Sequence, residues 1–127
     1  MGNGTELGRV RGLGSAHHGA HHWLLQRLTA VGNLILLAYL LVSIVTLPLG
    51  DYASVRQWAG SGLGATALIL LIVSLFWHAR LGLQVAIEDY VHDHGNRFAV
   101  MLALNFACLA GAAFGILSVL RLALGGA

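Results

Sequence analysis

From Leu28 to Leu47 the chain runs for 20 residues without a charged side chain, and from Phe98 to Leu120 for 23. A helix rises about 1.5 Å per residue, so either stretch can cross the roughly 30 Å of hydrocarbon in a bilayer. A further uncharged run starts at Leu63 and lasts to Trp77, and its continuation to about Ile87 carries His78 and Arg80. In lipid the backbone must satisfy its own polar groups, which leaves helices or closed barrels, and runs of this length are helical. With 57% hydrophobic and 9% charged residues in 127, and a mean hydropathy of +0.78, the expected fold is an all-α membrane protein. Its spans are placed at about 28–47, 63–87 and 98–120, behind a lead-in over 1–22, as one membrane domain over 1–127.

The second span is where the hydrocarbon acquires chemistry. His78 lies well inside the apolar run, where an ionisable group is costly and reads first as functional. Gly82 follows at i+4 on the same helix face, leaving a bare patch beside the imidazole. That pairing suits an axial haem ligand with a flat macrocycle against the helix. A histidine bonded to a neighbouring helix explains the same spacing. Asp89 is close to the same face and Tyr90 is rotated by about a third of a turn, on the order of 18 Å along the axis from His78. By default this pair at a helix end is a cap and an interface anchor. Arg80 reads as snorkelling to the surface or pairing with a buried anion, for which a haem propionate qualifies.

The remaining segments are more easily explained by packing and solvation. Met1 to Ala20 has no apolar core of the kind a signal peptide needs, so it is expected to stay on the protein. His17, His18, His21 and His22 contain two i, i+4 pairs, which read as a polar interfacial lead-in or as a metal site. Thr29 and Asn33 form a short polar stripe of the kind that bonds a neighbouring helix. Pro48, Gly50 and Asp51 are read as ending the first helix, with a short connection to Gly62 that sets Trp58 at headgroup level. Glu88 to Arg97 reads as a solvated turn. Gly111 and Gly115 give the third span a small-residue face for close helix approach.

Cys108 has no disulfide partner in the chain, and a single thiolate is too few for an iron–sulfur cluster. Electrons passing through this protein must therefore come from clusters on another subunit. Arg9, Arg11, Arg27 and Arg97 outnumber Arg56 and Arg121 on the opposite side, which favours a cytoplasmic amino terminus. The lead-in, Arg27 and the Asp89–Tyr90 pair then share the cytoplasmic face. All basic residues are Arg, and the Ala- and Gly-rich composition fits a bacterial inner membrane.

The run His78-Ala79-Arg80-Leu81-Gly82-Leu83-Gln84-Val85 ending in Asp89-Tyr90, together with Gly19-Ala20-His21 leading to Arg27 and Thr29-Ala30, resembles the small hydrophobic anchor of succinate dehydrogenase, the D-type cytochrome b subunit. The resemblance covers nearly the whole chain. It implies half of a heterodimeric haem-binding helical bundle, in which His78 is an axial ligand of haem b and the partner anchor supplies the other. It further implies that Tyr90 bonds a ubiquinone carbonyl with Asp89 beside it, that His21 and Arg27 face the haem propionates, and that Gly82 packs on the haem. The implied partners are the second cytochrome b anchor, the iron–sulfur subunit and the flavoprotein, which carries the dicarboxylate site. Other readings are the anchor of a quinol-linked fumarate reductase, a histidine-rich metal-handling membrane protein using His17, His18, His21 and His22, and a purely structural subunit in which His78 is a packing residue.

Overall fold

The computed structural model describes residues 5–6 and 19–125. Among the described residues four helices follow one another: α1 (Gly19–Thr46), α2 (Tyr52–Gly60), α3 (Gly62–Tyr90) and α4 (His94–Ala123). The three long ones, of 28, 29 and 30 residues, are each apolar and long enough to cross a membrane. α3 and α4 enclose the expected second and third spans and run beyond them, and α1 starts well before Leu28 and ends at Thr46, one residue short of the expected Leu47, because the polar residues before Leu28 and around Glu88 contain no breaker inside these helices.

α3 is the middle element. It packs on α1 along one side and on α4 along the other, while the backbones of α1 and α4 do not approach each other closely. The first seam is antiparallel, with Gln26 level with Gly82, Thr29 with His78 and Gly32 with Ser74. The second is antiparallel too, with Asn105 level with Arg80, Gly111 with Phe76 and Gly115 with Ile72. A Cβ on Gly111 would come within 2.6 Å of the Phe76 ring, so the expected small-residue face serves contact with α3.

A single layer of three helices buries little. Ala59, Ala65, Leu71, Leu81 and Val119 are the buried apolar residues among those described, and Leu, Val and Phe side chains are exposed along all three long helices. Lipid tails are as apolar as leucine, so that surface carries no penalty in a bilayer, and polar contacts take a larger share in fixing the seams.

Two features depart from the sequence reading. The first connection is helical over Tyr52–Gly60, and Asp51 starts it rather than closing α1. The Asp51 carboxylate accepts from the Ala53 and Ser54 backbone N–H groups and from the Ser54 hydroxyl, an N-cap that holds its pKa below the usual carboxylate value. A depressed folded-state pKa stabilises α2 above the carboxyl's unfolded value, and that support fades as pH falls through the lowered one. The short helix packs on α3 and α4. It also turns Trp58 back onto Tyr39 of α1, with ring centroids 6.4 Å apart, so the indole is half-buried against the bundle.

Arg80 neither snorkels alone nor faces the imidazole. Two residues along a helix is a rotation of about 200°, so His78 points to α1 and Arg80 to α4. There its Nε–H donates to Asn105 Oδ1. Breaking an interhelical bond to a cation within the membrane layer costs about 1–2 kcal/mol. Asn105→Leu is therefore expected to lower the denaturant midpoint of the detergent-solubilised protein, while Asn105→Gln is expected to retain much of the stability.

Candidate functional site

Thr29 and His78 define the site. Thr29 sits on the α1 face that meets α3, and its Oγ1 lies 3.1 Å from His78 Nδ1. The same hydroxyl lies 2.9 Å from the carbonyl of Leu25 and 3.1 Å from that of Gln26 in its own helix. One turn deeper, Ser74 Oγ donates to Thr29 O at 3.2 Å, which ties the register of the seam. Of the expected Thr29–Asn33 stripe, Thr29 thus bonds a neighbouring helix, and the partner is the histidine itself. Asn33 is only 7% exposed, and its Oδ1 has no hydrogen-bond partner among the described residues.

His78 is half-buried, and among the described residues its Nε2 makes no hydrogen bond. Gly82 lies on the same side. A Cβ there would meet only Gln26 Nε2 of α1, at 3.9 Å, so the bare patch beside the imidazole is real but is faced by an amide of this chain.

Tyr90 is the last residue of α3 and is 83% exposed, with Asp89 exposed beside it. The turn behind them is well fixed. Val91 N–H donates to Ile87 O, Asp93 caps α4 at Asn96 N–H, and Arg97 Nε–H donates to Val91 O at 2.9 Å. Within the two turns before Tyr90, Gln84 Nε2 donates to Glu88 Oε1 at 2.8 Å. The phenol is thereby held on a firm helix end while its hydroxyl stays open.

At the same end, the antiparallel seam brings the start of α1. His21 and Arg27 are both exposed, and the Arg27 guanidinium lies 5.4 Å from the Trp23 ring centroid, a cation–π contact. Arg27 is rotated by about 200° from Thr29, so neither it nor His21 is gathered against His78 within this chain. His22 points inward, with a buried Nε2 that has no partner among the described residues. His17 and His18 lie outside the described residues, and among those described no three His, Cys, Asp or Glu side chains converge as a metal site.

The residues that sequence reasoning missed are Asn105 and the Thr29 hydroxyl as the partner of His78. Asn105 had a signal, since Arg80 in an apolar span demands an acceptor and Asn105 is the strongly polar side chain within the uncharged part of α4.

Residues 1–112 match the family described as succinate dehydrogenase/fumarate reductase transmembrane subunit. The chain belongs to this family. Succinate dehydrogenase hydrophobic membrane anchor subunits are similar to it: that of Rickettsia bellii is 31% identical over 111 residues, covering 87% of this chain and 89% of the relative. The Rickettsia conorii subunit is 30% identical over 106 residues, covering 83% and 84%. A membrane anchor subunit from Reclinomonas americana is 34% identical over 91 residues, covering 68% and 75%. With its three spans, the protein is a multi-pass succinate dehydrogenase membrane anchor subunit.

Proposed function

We propose that this anchor would hold a haem b through His78 and forms one wall of a ubiquinone-reduction site, in a complex that passes electrons from succinate oxidation to quinone. The observation that carries the reading is the engagement of His78 Nδ1 by Thr29, with Nε2 left without a hydrogen-bond partner among the described residues. An imidazole oriented through one ring nitrogen presents the other lone pair to a metal, the arrangement of histidine ligands generally. The residues therefore fit the group. Haem, when bound, supplies a one-electron carrier between the clusters of the soluble subunits and quinone.

Tyr90 acts at the helix end. Its exposed hydroxyl donates to a quinone carbonyl oxygen and stabilises the charge that grows there on reduction. Asp89 lies beside it as the acidic neighbour of the pocket. His21 and Arg27 stay open toward a partner surface, where they meet haem propionates; a guanidinium suits a carboxylate in charge and geometry. A further ligand would come from a second cytochrome b anchor, and the dicarboxylate site belongs to the flavoprotein, linked through the iron–sulfur subunit. The excess of Arg9, Arg11, Arg27 and Arg97 over Arg56 and Arg121 supports a cytoplasmic amino terminus in a bacterial inner membrane, with the quinone end on the cytoplasmic side.

Gly82 gives a test that separates haem packing from helix packing. Alanine meets only an ordinary contact with Gln26, so Gly82→Ala is expected to assemble normally. Gly82→Leu is expected to lower haem per complex several-fold. Full haem content in the leucine variant, measured on assembled complex, would place the macrocycle elsewhere. The whole reading is tested by purifying the complex through a tag on this chain. The expected result is succinate-dependent quinone reduction in the purified fraction. Recovery of the chain without flavoprotein and iron–sulfur subunits, from membranes that hold both, would contradict it.

A further inference from the structure

We infer that Thr29 is a positioning residue that sets the tautomer of His78 and tunes the electron affinity of the haem it ligates. The inference rests on the ligand role proposed for His78. It begins from a proton count. A threonine hydroxyl has one hydrogen and two lone pairs. Thr29 Oγ1 has three neighbours in reach: the carbonyl oxygens of Leu25 at 2.9 Å and Gln26 at 3.1 Å, and His78 Nδ1 at 3.1 Å.

Carbonyls only accept, so with the hydroxyl hydrogen turned into α1 a lone pair of Oγ1 is left toward His78. A neutral imidazole whose Nε2 binds iron carries its proton on Nδ1, which can then only donate. The two requirements agree. Nδ1–H donates to Oγ1, Oγ1–H donates to the carbonyls, and each bond polarises the next.

The consequence is electronic as well as geometric. A hydrogen bond accepted from the distal ring N–H raises the basicity of the ligating nitrogen, which favours the ferric state and lowers the midpoint potential. Replacing the hydroxyl by a methyl removes that acceptor at nearly constant shape. Ser74, by donating to Thr29 O, and Gly32, where a Cβ would meet Ser74 Oγ at 3.4 Å, hold the seam close enough for the contact. The imidazole is thus oriented from inside this chain, leaving its other edge for the opposing subunit.

The test is a potentiometric titration of the haem in the purified complex, comparing Thr29→Val and Thr29→Ser with the unaltered protein. Thr29→Val is expected to raise the midpoint potential by an amount equal to about a fivefold change in the ferrous-to-ferric ratio, the size of one net hydrogen bond. Thr29→Ser is expected to titrate like the unaltered protein. Haem lost from the valine variant but kept by the serine variant would equally assign the role to the hydroxyl. A valine variant at the unaltered potential, or a serine variant displaced or depleted as far as valine, would overturn the inference and leave Thr29 a packing residue. His78→Ala run alongside separates the two levels. Haem retained in that variant removes the ligand role itself, whereas haem lost there with no shift in Thr29→Val removes only Thr29.

Discussion

Tyr90→Phe is expected to lower succinate-dependent ubiquinone reduction on the order of 100-fold, the scale of losing one donor aimed at developing oxyanion charge. Succinate oxidation by an artificial acceptor that takes electrons from the soluble subunits is expected to stay unchanged. The split follows from where the residue sits. Tyr90 is 83% exposed and its hydroxyl takes part in no hydrogen bond of the described chain, so removing the oxygen disturbs neither α3 nor the turn after it. Phenylalanine keeps the ring and hence any stacking against a quinone head group. Equal loss of both activities would mean that the substitution damages assembly, and no loss of either would take Tyr90 out of the quinone site.

The second large effect is structural. Gly64 stands at the first turn of α3, where its backbone N–H is capped by Ser61 Oγ at 3.0 Å. A Cβ there would run into the Trp58 carbonyl oxygen and come within 2.9 Å of Ser61 Oγ. The carbonyl is backbone and cannot swing aside, so relief requires moving α2 away from α3 and giving up the cap. Overpacking of this kind costs about 1–3 kcal/mol and a lost N-cap about 1 kcal/mol. Gly64→Ala is expected to lower stability by about 2–4 kcal/mol, read as an earlier unfolding midpoint in mixed detergent micelles. Gly62→Ala is the control, because a Cβ there meets nothing within 4 Å and alanine favours a helix over glycine. Similar behaviour of the two variants would remove the close approach of α2 and α3 as the cause.

The architecture was legible where a single physical rule dominates. Charge-free runs of 20 and 23 residues admit few structures in lipid, so α1 and α4 could be read directly. The spacing of His78 and Gly82 places both on one helix face whatever the tertiary arrangement. α2 was not legible, because Pro48 and Gly50 are strong chain breakers and Asp51 serves equally well after one helix and before the next. Its role as an N-cap depends on Ala53 and Ser54 turning back toward it, which no local pattern announces.

Within the site, Thr29 could be recognised as an interhelical donor or acceptor, but its pairing with His78 depends on the relative register of α1 and α3. That register is set by contacts distant in sequence, such as Ser74 on Thr29 O. Arg80 shows the same limit from the other side. Its need for a partner could be read from its place in an apolar span, whereas the choice of Asn105 over a propionate follows from its rotation away from His78. His21 and Arg27 are exposed and, among the described residues, nothing closes over them, so the roles proposed for them depend on a partner surface.

The most direct measurement is the reduced-minus-oxidised absorption spectrum of the complex purified through a tag on this chain, taken for the unaltered protein and for His78→Ala. The account predicts a low-spin b-type band in the first and its loss in the second, with the flavoprotein and iron–sulfur subunits still present. No haem band in an unaltered complex that retains its partners, or an undiminished band in His78→Ala, would contradict it.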